Sequence, residues 1–239
     1  MNTSSSITTD LFLGGKLKIR QNEKGYKSGS DAVLLAAFIK KTKGKILEVG
    51  CGSGAASLCL GHRLKGVDIT GIDIQPSLVK LALQNAKENN LSSHFTFLTQ
   101  DIKQSTLPNQ SFDHVFSNPP YFEGSSPSPS QEKALSKSQV FPLSEWVDFC
   151  IRMTKPRGYI SFIYPTAHLN DLLQNLKGMG DIHLFPLWPK ENKDSKRILI
   201  SARKGVKCGL TLEPGLILHT EEGKYTEKAD AVLRGGQEL

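Results

Sequence analysis

The sequence predicts an α/β fold: a doubly wound, mostly parallel sheet with helices on both faces. Three observations carry that expectation. From residue 44 onward, short apolar runs alternate with amphipathic stretches, the pattern of successive βαβ units. The first run, KILEVG, enters a glycine-rich turn before a helical segment, and the next two runs end on acids, Asp73 and Asp101. No internal repeat or clear linker interrupts the 239 residues, so they read as a single domain.

KILEVG (45–50) is the first strand and AASLCLGHRL after it has apolar residues at helical spacing. VDITGIDI (67–74) is the second strand, and Pro76 suits the first turn of the next helix. That helix, SLVKLALQNAKENN, places Leu78, Leu81, Ala82, Asn85 and Ala86 on one side and stops near Asn89-Asn90. HFTFLTQD (94–101) and FDHVFSN (112–118) are the third and fourth strands, the latter apolar as buried parallel strands are. PLSEWVDFCIRMT (142–154) reads as an amphipathic helix, and Pro156-Arg157-Gly158 as a turn into the strand GYISFIY (158–164). HLNDLLQNLKGMG follows as a helix with a glycine stop. DIHLFPLW (181–188) and KRILISARK (196–204) end the domain as a hairpin-like pair.

The domain itself is thus expected over residues 44–204. Residues 1–43 are an N-terminal extension, beginning with MNTSSSITTD as a short frayed tail, and 205–239 a C-terminal extension packed on the same domain. Whether that extension forms a further strand pair and helix or packs loosely is open.

An apolar fraction of 38% and a charged fraction of 22% are those of a soluble globular chain. No window approaches about 18 continuous apolar residues, so no membrane span is expected. The N-terminus lacks the basic start and apolar core of a signal peptide. Cys51, Cys59, Cys150 and Cys208 form no CxxC pair or metal-like spacing, which points to reduced thiols, a cytoplasmic protein and no metal site. Oligomeric state is not legible; a monomer is the default.

The net charge of +7 is segregated. Residues 14–27 hold Lys16, Lys18, Arg20, Lys24 and Lys27 against Glu23, a net of +4. Residues 186–208 hold Lys190, Lys193, Lys196, Arg197, Arg203, Lys204 and Lys207 against Glu191 and Asp194, a net of +5. Such clustering suggests a polyanion partner, although a solvated lysine-rich surface would look the same.

EVGCGSG (48–54) puts Gly50, Gly52 and Gly54 between the first strand and first helix, where a tight turn brings backbone N–H groups close to a ligand. The spacing is GxGxG and not GxGxxG, which weakens a nicotinamide-dinucleotide reading. Asp73 ends the second strand, 23 residues after Gly50, where a carboxylate is placed to accept both hydroxyls of a ribose. Asp101, at the end of the third, is placed to accept from a purine amine. Each acid alone is equally a helix cap or surface charge; their placement on successive strand ends is what points to a nucleoside.

This combination resembles the class I S-adenosylmethionine-dependent methyltransferases over roughly residues 28–204. The resemblance implies a Rossmann-like, seven-stranded sheet with its last strand antiparallel. It also implies S-adenosylmethionine as cofactor, held by Glu48, Gly50, Cys51, Gly52, Gly54, Asp73, Ile74, Asp101, Ile102 and Asn118. Lys27, Ser28 and Gly29 resemble the segment that closes over the methionine end.

Ser117-Asn118-Pro119-Pro120-Tyr121-Phe122 follows the fourth strand. In the methyltransferase class, NPPY at this place marks enzymes that methylate a planar, conjugated nitrogen, which implies catalytic roles for Asn118, Pro119, Pro120 and Tyr121. The lone pair of such a nitrogen is delocalised. The Asn118 side-chain oxygen and the Pro119 carbonyl are two acceptors for its hydrogens, the prolines fix the carbonyl's direction, and Tyr121 is a stacking face.

Four substrates fit the motif: adenine N6 in RNA, glutamine N5 in a release factor, guanine N2 in ribosomal RNA, and adenine N6 in DNA. Release-factor enzymes carry an extra helical domain before the sheet, guanine enzymes often a duplicated one, and DNA enzymes need more sequence to read a groove. FLGGKLKIRQNEKGYKSGSDAVLLAA, ILEVGCGSG, FSNPPYF and PLWPKENKDSKRILISARKG together resemble the bacterial tRNA adenine-N6 methyltransferases acting beside the anticodon of a valine tRNA. That resemblance implies a tRNA anticodon stem-loop as partner and no DNA, with Arg20, Lys196, Arg197, Arg203 and Lys204 as candidates for phosphate contacts. The loop at 123–138 is open between ordering on the target and simple mobility. A fold of this class that only binds RNA, without catalysis, is the non-enzymatic alternative.

Overall fold

A computed structural model describes residues 6–40, 44–120 and 142–239. Eleven strands and six helices of four residues or more are defined among them. The core strands are β3 (Lys45–Val49), β4 (Asp68–Asp73), β5 (Phe95–Thr99), β6 (Phe112–Ser117), β7 (Thr154–Pro165), β8 (Met179–Trp188) and β9 (Arg197–Lys204). They lie in the order β5-β4-β3-β6-β7-β9-β8. All pairings from β5 to β7 are parallel, and β9 is antiparallel to both β7 and β8. The expected doubly wound sheet with an antiparallel last strand is therefore present.

Side chains alternate between two buried faces, as parallel strands covered on both sides require. Ile46, Ile69, Phe97, Phe116 and Ile163 face α1 (Ser30–Phe38), α2 (Ala55–Arg63) and α3 (Pro76–Glu88). Leu47, Ile72, Val115, Ile160 and Phe162 face α4 (Leu143–Met153) and α5 (Leu169–Asn175). The strand β7 begins earlier than the glycine turn suggested, because its register slips against β6 between Phe112 and His114. Arg157, with φ of 63°, sits in that irregular stretch.

Both extensions are ordered where described. Ile7–Asp10 is not frayed: it starts β1 (Ile7–Phe12), which pairs antiparallel with β2 (Leu17–Asn22) across Leu13-Gly14-Gly15. After residue 204, β10 (Leu210–Leu212) and β11 (Leu216–Ile217) both add parallel to the outer side of β8, extending the sheet to nine strands. The helix α6 (Glu227–Leu233) follows, its N-terminus capped by the Thr226 hydroxyl, which accepts from Ala229 N at 3.2 Å. Its Ala229 and Val232 are buried in the same core as α1.

The N-terminal hairpin is fastened to the domain by two asparagines. Asn85 and Asn89 are one turn apart on α3, about 6 Å, close to the rise of two strand residues. Each therefore treats β2 as a strand would. Asn85 accepts from Arg20 N at 2.8 Å and donates to Arg20 O at 3.0 Å; Asn89 accepts from Lys18 N at 2.9 Å and donates to Lys18 O at 2.8 Å. Asn85 is fully buried and also donates to Ser53 O at 2.9 Å, so one carboxamide joins the hairpin to the glycine turn. Asn85→Ala leaves one buried and two partly buried backbone groups without this partner, and should cost about 2 kcal/mol in urea unfolding. Hydrogen exchange at the Arg20 amide should accelerate in the same variant; unchanged stability and exchange would refute the fastening role.

Candidate cofactor and methyl-acceptor site

Parallel strands direct their carboxyl ends to one edge of the sheet, and the candidate residues collect there. Val49 leads into the glycine turn, Asp73 ends β4, Asp101 follows β5, and Asn118 follows β6. The sheet reverses its winding between β3 and β6, since β4 and β5 lie to one side and β7 to the other. A crevice at that switch point is where such sheets take ligands.

The glycine turn is shaped from below. Gly50 N and Cys51 N donate to Ile72 O at 2.8 and 2.9 Å. Gly50 has φ of 73°, and a Cβ there would lie 3.0 Å from the Trp146 ring, so backbone conformation and packing both require glycine. Cys51 is buried, its thiol pushed well up by burial, so only its backbone is available to a ligand. Gly52 (φ 54°) differs: a Cβ would meet nothing within 4 Å, so this turn of backbone is open to a close approach. Gly54, the N-cap of α2, packs too tightly on Phe97 and Ala82 to carry a side chain without displacement.

Glu48 lies beneath the turn. It is buried, and its carboxyl accepts from Ser57 N at 3.0 Å and from the Ser57 hydroxyl, capping the N-terminus of α2 from inside the domain. Burial pushes its pKa up to about 8, against the Ser57 hydrogen bonds that favour the charged form.

Asp73 accepts from Gly52 N through one oxygen and from Gln75 N through the other, each at 2.9 Å. Each oxygen keeps a second lone pair for a ribose hydroxyl. Its pKa is raised, chiefly by burial and against these two bonds. Ile74 beside it is an exposed aliphatic surface of the kind a purine face covers. Gln100 N donates to Asp73 O at 3.0 Å, aligning the ends of β4 and β5. Asp101 Oδ1 accepts from Lys103 N at 2.9 Å, while Ile102 turns into the core. The open glycine backbone, the strand-end carboxylate and the adjacent apolar face suit the nucleoside of S-adenosylmethionine.

Asn118 is held close by. Ser117 donates to Val49 O at 2.6 Å and accepts from Trp146 Nε1 at 3.0 Å, which locks the start of the motif against the glycine turn. Asn118 Nδ2 donates to the Tyr26 hydroxyl at 2.8 Å. Pro119 is buried and Pro120 exposed. Tyr121 and the 123–138 loop lie outside the described residues.

The Lys27-Ser28-Gly29 segment is organised by Gln21, which is itself buried. Gln21 Oε1 accepts from Ser28 N at 2.8 Å, and Nε2 donates to Ser28 O at 3.0 Å and to Asp10 Oδ2 at 2.9 Å. The same Oε1 accepts from the Ser53 hydroxyl at 3.5 Å. With Tyr26 on Asn118, the segment spans from the glycine turn to the motif after β6. Lys27 donates to the Thr8 hydroxyl at 2.8 Å, so its ammonium is tied to the hairpin; Gly29 is the N-cap of α1.

The five basic candidates do not form one patch. Lys196 and Arg197 stand at the start of β9, on the same edge as Asn118. Arg203 and Lys204 are at its far end, about 20 Å away along the strand. There Arg203 donates to Arg157 O at 2.9 Å and stacks on Tyr159, while Lys204 donates to Ile151 O and Thr154 O at 2.6 and 2.8 Å, closing the C-terminus of α4. Arg20 is engaged by both oxygens of Glu88, at 2.8 and 3.0 Å, near the far end of α3. Arg197 is itself ion-paired with Asp31 at 3.1 Å. Lys190 and Lys193, in the turn between β8 and β9, share the Lys196 edge. An eight-residue strand carries its two ends to opposite sides of the sheet, so charges close in sequence lie apart in space.

Gln21, Tyr26, Asn85, Ser117 and Trp146 support the site without a role that the sequence alone assigns them. Only Ser117 and Trp146 had a local signal, a hydroxyl abutting the motif and an indole on an amphipathic helix. Among the described residues no group of three or more His, Cys, Asp or Glu could hold a metal ion.

Residues 40–230 match the family described as "Methyltransferase domain". A tRNA1(Val) (adenine(37)-N6)-methyltransferase of Porphyromonas gingivalis is 30% identical over 235 residues, 92% of each chain. A protein of the same name from Mannheimia succiniciproducens is 29% identical over 226 residues, 93% of this chain and 92% of its own. Among solved structures, one described as a "predicted O-methyltransferase" from Agrobacterium tumefaciens superposes with a TM-score of 0.73 at 22% identity, covering 87% of this chain and 97% of that one. A SAM-dependent O-methyltransferase of Thermotoga maritima gives 0.57 at 18% identity, covering 77% and 68%. At these identities the structures attest the fold alone.

The buried Glu48 gives the site a pH signature. Unfolded, Glu48 ionises near 4.5; folded, near 8. The folded state therefore holds the extra proton between those values, and this contribution to stability is complete below 4.5 and declines as pH rises toward 8. Glu48→Gln keeps an acceptor for Ser57 N and removes the titration. Its stability relative to the parent should improve by about 4 kcal/mol between pH 5 and pH 8.5 in urea melts; a difference independent of pH would contradict the raised pKa.

Proposed function

Because the chain belongs to the methyltransferase-domain family, and within it to the tRNA1(Val) (adenine(37)-N6)-methyltransferases, we infer that it transfers a methyl group from S-adenosylmethionine to N6 of adenine 37 in a valine tRNA. The observation that carries this reading beyond family membership is the Asn118 carboxamide, fixed by its neighbours at the edge that also bears Asp73 and the open glycine turn.

S-adenosylmethionine supplies an electrophilic methyl on a sulfonium. Asp73 would hold the ribose, Asp101 and Ile74 would address the adenine, and the open Gly52 backbone would leave room for the ribose and the methionine chain attached to it. The accepting amine is a poor nucleophile because its lone pair is delocalised into the ring. Asn118 Oδ1 and the Pro119 carbonyl each accept one of its hydrogens, favouring the geometry in which that lone pair faces the methyl. Pro119 and Pro120 each lock φ, so that carbonyl is aimed before the substrate arrives. Tyr121 stacks on the ring and holds the nitrogen in line. No base is needed beforehand, since the nitrogen becomes acidic only as the bond forms.

An anticodon stem-loop is the RNA element this edge suits. Its unpaired adenine needs less unstacking than one in a duplex, which also disfavours DNA. Lys190, Lys193, Lys196 and Arg197 lie on this edge and serve the phosphates; Arg203, Lys204 and Arg20 lie away from it. Among the described residues no helix is long and apolar enough to cross a membrane, and a tRNA substrate is consistent with the cytoplasm.

Incubation of undermodified tRNA and of a release factor with labelled S-adenosylmethionine should place label on the RNA, with digestion yielding N6-methyladenosine. Label confined to the protein, or N2-methylguanosine, would overturn the reading. Asn118→Ala should lower kcat about 10²-fold and leave cofactor affinity nearly unchanged; equal loss of both would mean the acceptor site lies elsewhere. RNA affinity should fall steeply with salt, and less steeply once Lys193 and Lys196 are both replaced by Ala.

A further inference from the structure

Asn118 is a two-ended group. Its carboxamide offers hydrogens at Nδ2 and an acceptor at Oδ1, and rotation about the terminal bond exchanges the two with little intrinsic preference. An amino group that brings hydrogens to the site needs the oxygen end. Turned the other way, the same side chain would oppose N–H to N–H and repel its substrate. The orientation must therefore be set by something outside the motif.

Tyr26 contacts one end of the carboxamide; a phenol hydroxyl can donate or accept, and here it accepts. Its hydroxyl oxygen lies 2.8 Å from Asn118 Nδ2 and accepts its hydrogen, although 92 residues separate the two. That bond uses the nitrogen end and leaves Oδ1 facing away from Tyr26. The phenol is in turn carried on a fixed stretch of backbone: two residues on, Ser28 is held through both its N and its O by the buried Gln21. Gln21 also meets the Ser53 hydroxyl in the glycine turn. The reference point for the acceptor is thus the same element that shapes the cofactor pocket.

We propose that Tyr26 is a positioning residue for methyl transfer, whose hydroxyl holds the Asn118 carboxamide with Oδ1 turned toward the accepting amine. This rests on Asn118 being an acceptor for that amine. Tyr26 is half exposed and its ring stays in place in Tyr26→Phe, so that variant is expected to keep the parental melting temperature. What it loses is the hydroxyl.

A double-mutant cycle under single-turnover conditions separates the roles. Tyr26→Phe should slow methyl transfer about tenfold, the scale of one hydrogen bond. Affinities for S-adenosylmethionine and for the tRNA should stay within twofold. In an Asn118→Ala background the same change should alter the rate by less than twofold, because Tyr26 acts only through that side chain. If Tyr26→Phe transfers at the parental rate while Asn118→Ala is impaired, Tyr26 has no positioning role. If the two losses multiply, Tyr26 acts independently of Asn118 and the proposal falls. A fully active Asn118→Ala would instead overturn the acceptor assignment, and the proposal with it.

Discussion

The Ser117 hydroxyl is the contact on which the site's geometry depends. Strands β3 and β6 pair only from Ile46–His114 to Glu48–Phe116, and beyond that point the ladder stops because the chains must diverge. Ser117 takes over where backbone pairing ends: it donates to Val49 O and accepts from the Trp146 indole. Three elements that would otherwise splay at the switch point are tied through one oxygen. A serine also suits the place sterically, since it is fully buried between two strands whose backbones are still close. The width of the crevice, and hence the distance from the glycine turn to Asn118, follows from this small group.

A second junction works at the other side of the pocket. Asn85 and Gln21 use carboxamides to satisfy backbone groups at the edge of the sheet layer, where no strand is available to do so. Carboxamides suit this because each presents a donor and an acceptor in one plane, matching the N–H and C=O of a neighbouring residue. Buried and fully paired, they fix the hairpin and the glycine turn relative to one another without introducing a charge. The carboxylates nearby play other parts: Glu48 stabilises a helix end at the expense of its own ionisation, and Asp73 stays available at the surface of the crevice.

The sequence made the sheet and most of the crevice legible because their chemistry is local. A strand, a glycine turn and a helix are consecutive, and Asp73, Asp101 and Asn118 each follow an apolar run directly. What it concealed depends on contacts between distant segments. Asn85 and Asn89 look like the polar end of a helix until β2 is placed beside them. Tyr26 sits in a lysine-rich stretch with no periodicity. The hairpin did carry a signal, since Leu17, Ile19 and Gln21 alternate with Lys18 and Arg20 after a double glycine; its basic residues drew the reading to charge instead of pattern. Arg203 and Lys204 show the converse. They stand close to Arg197 in sequence, whereas extended backbone is the conformation that separates neighbours fastest.

The two short strands after residue 204 bear on how the sheet ends at β8. Strand β8 would close the sheet with a row of free backbone groups, flanked by the buried side chains of Leu184, Phe185 and Leu187. Such a border invites pairing with another molecule. β10 and β11 occupy it in two brief stretches separated at Gly215, where the backbone passes so near Pro186 that no side chain would fit. Neither stretch is long enough to template a further strand. The C-terminal segment thus behaves as a selvage, finishing the woven border on the β8 side of the sheet.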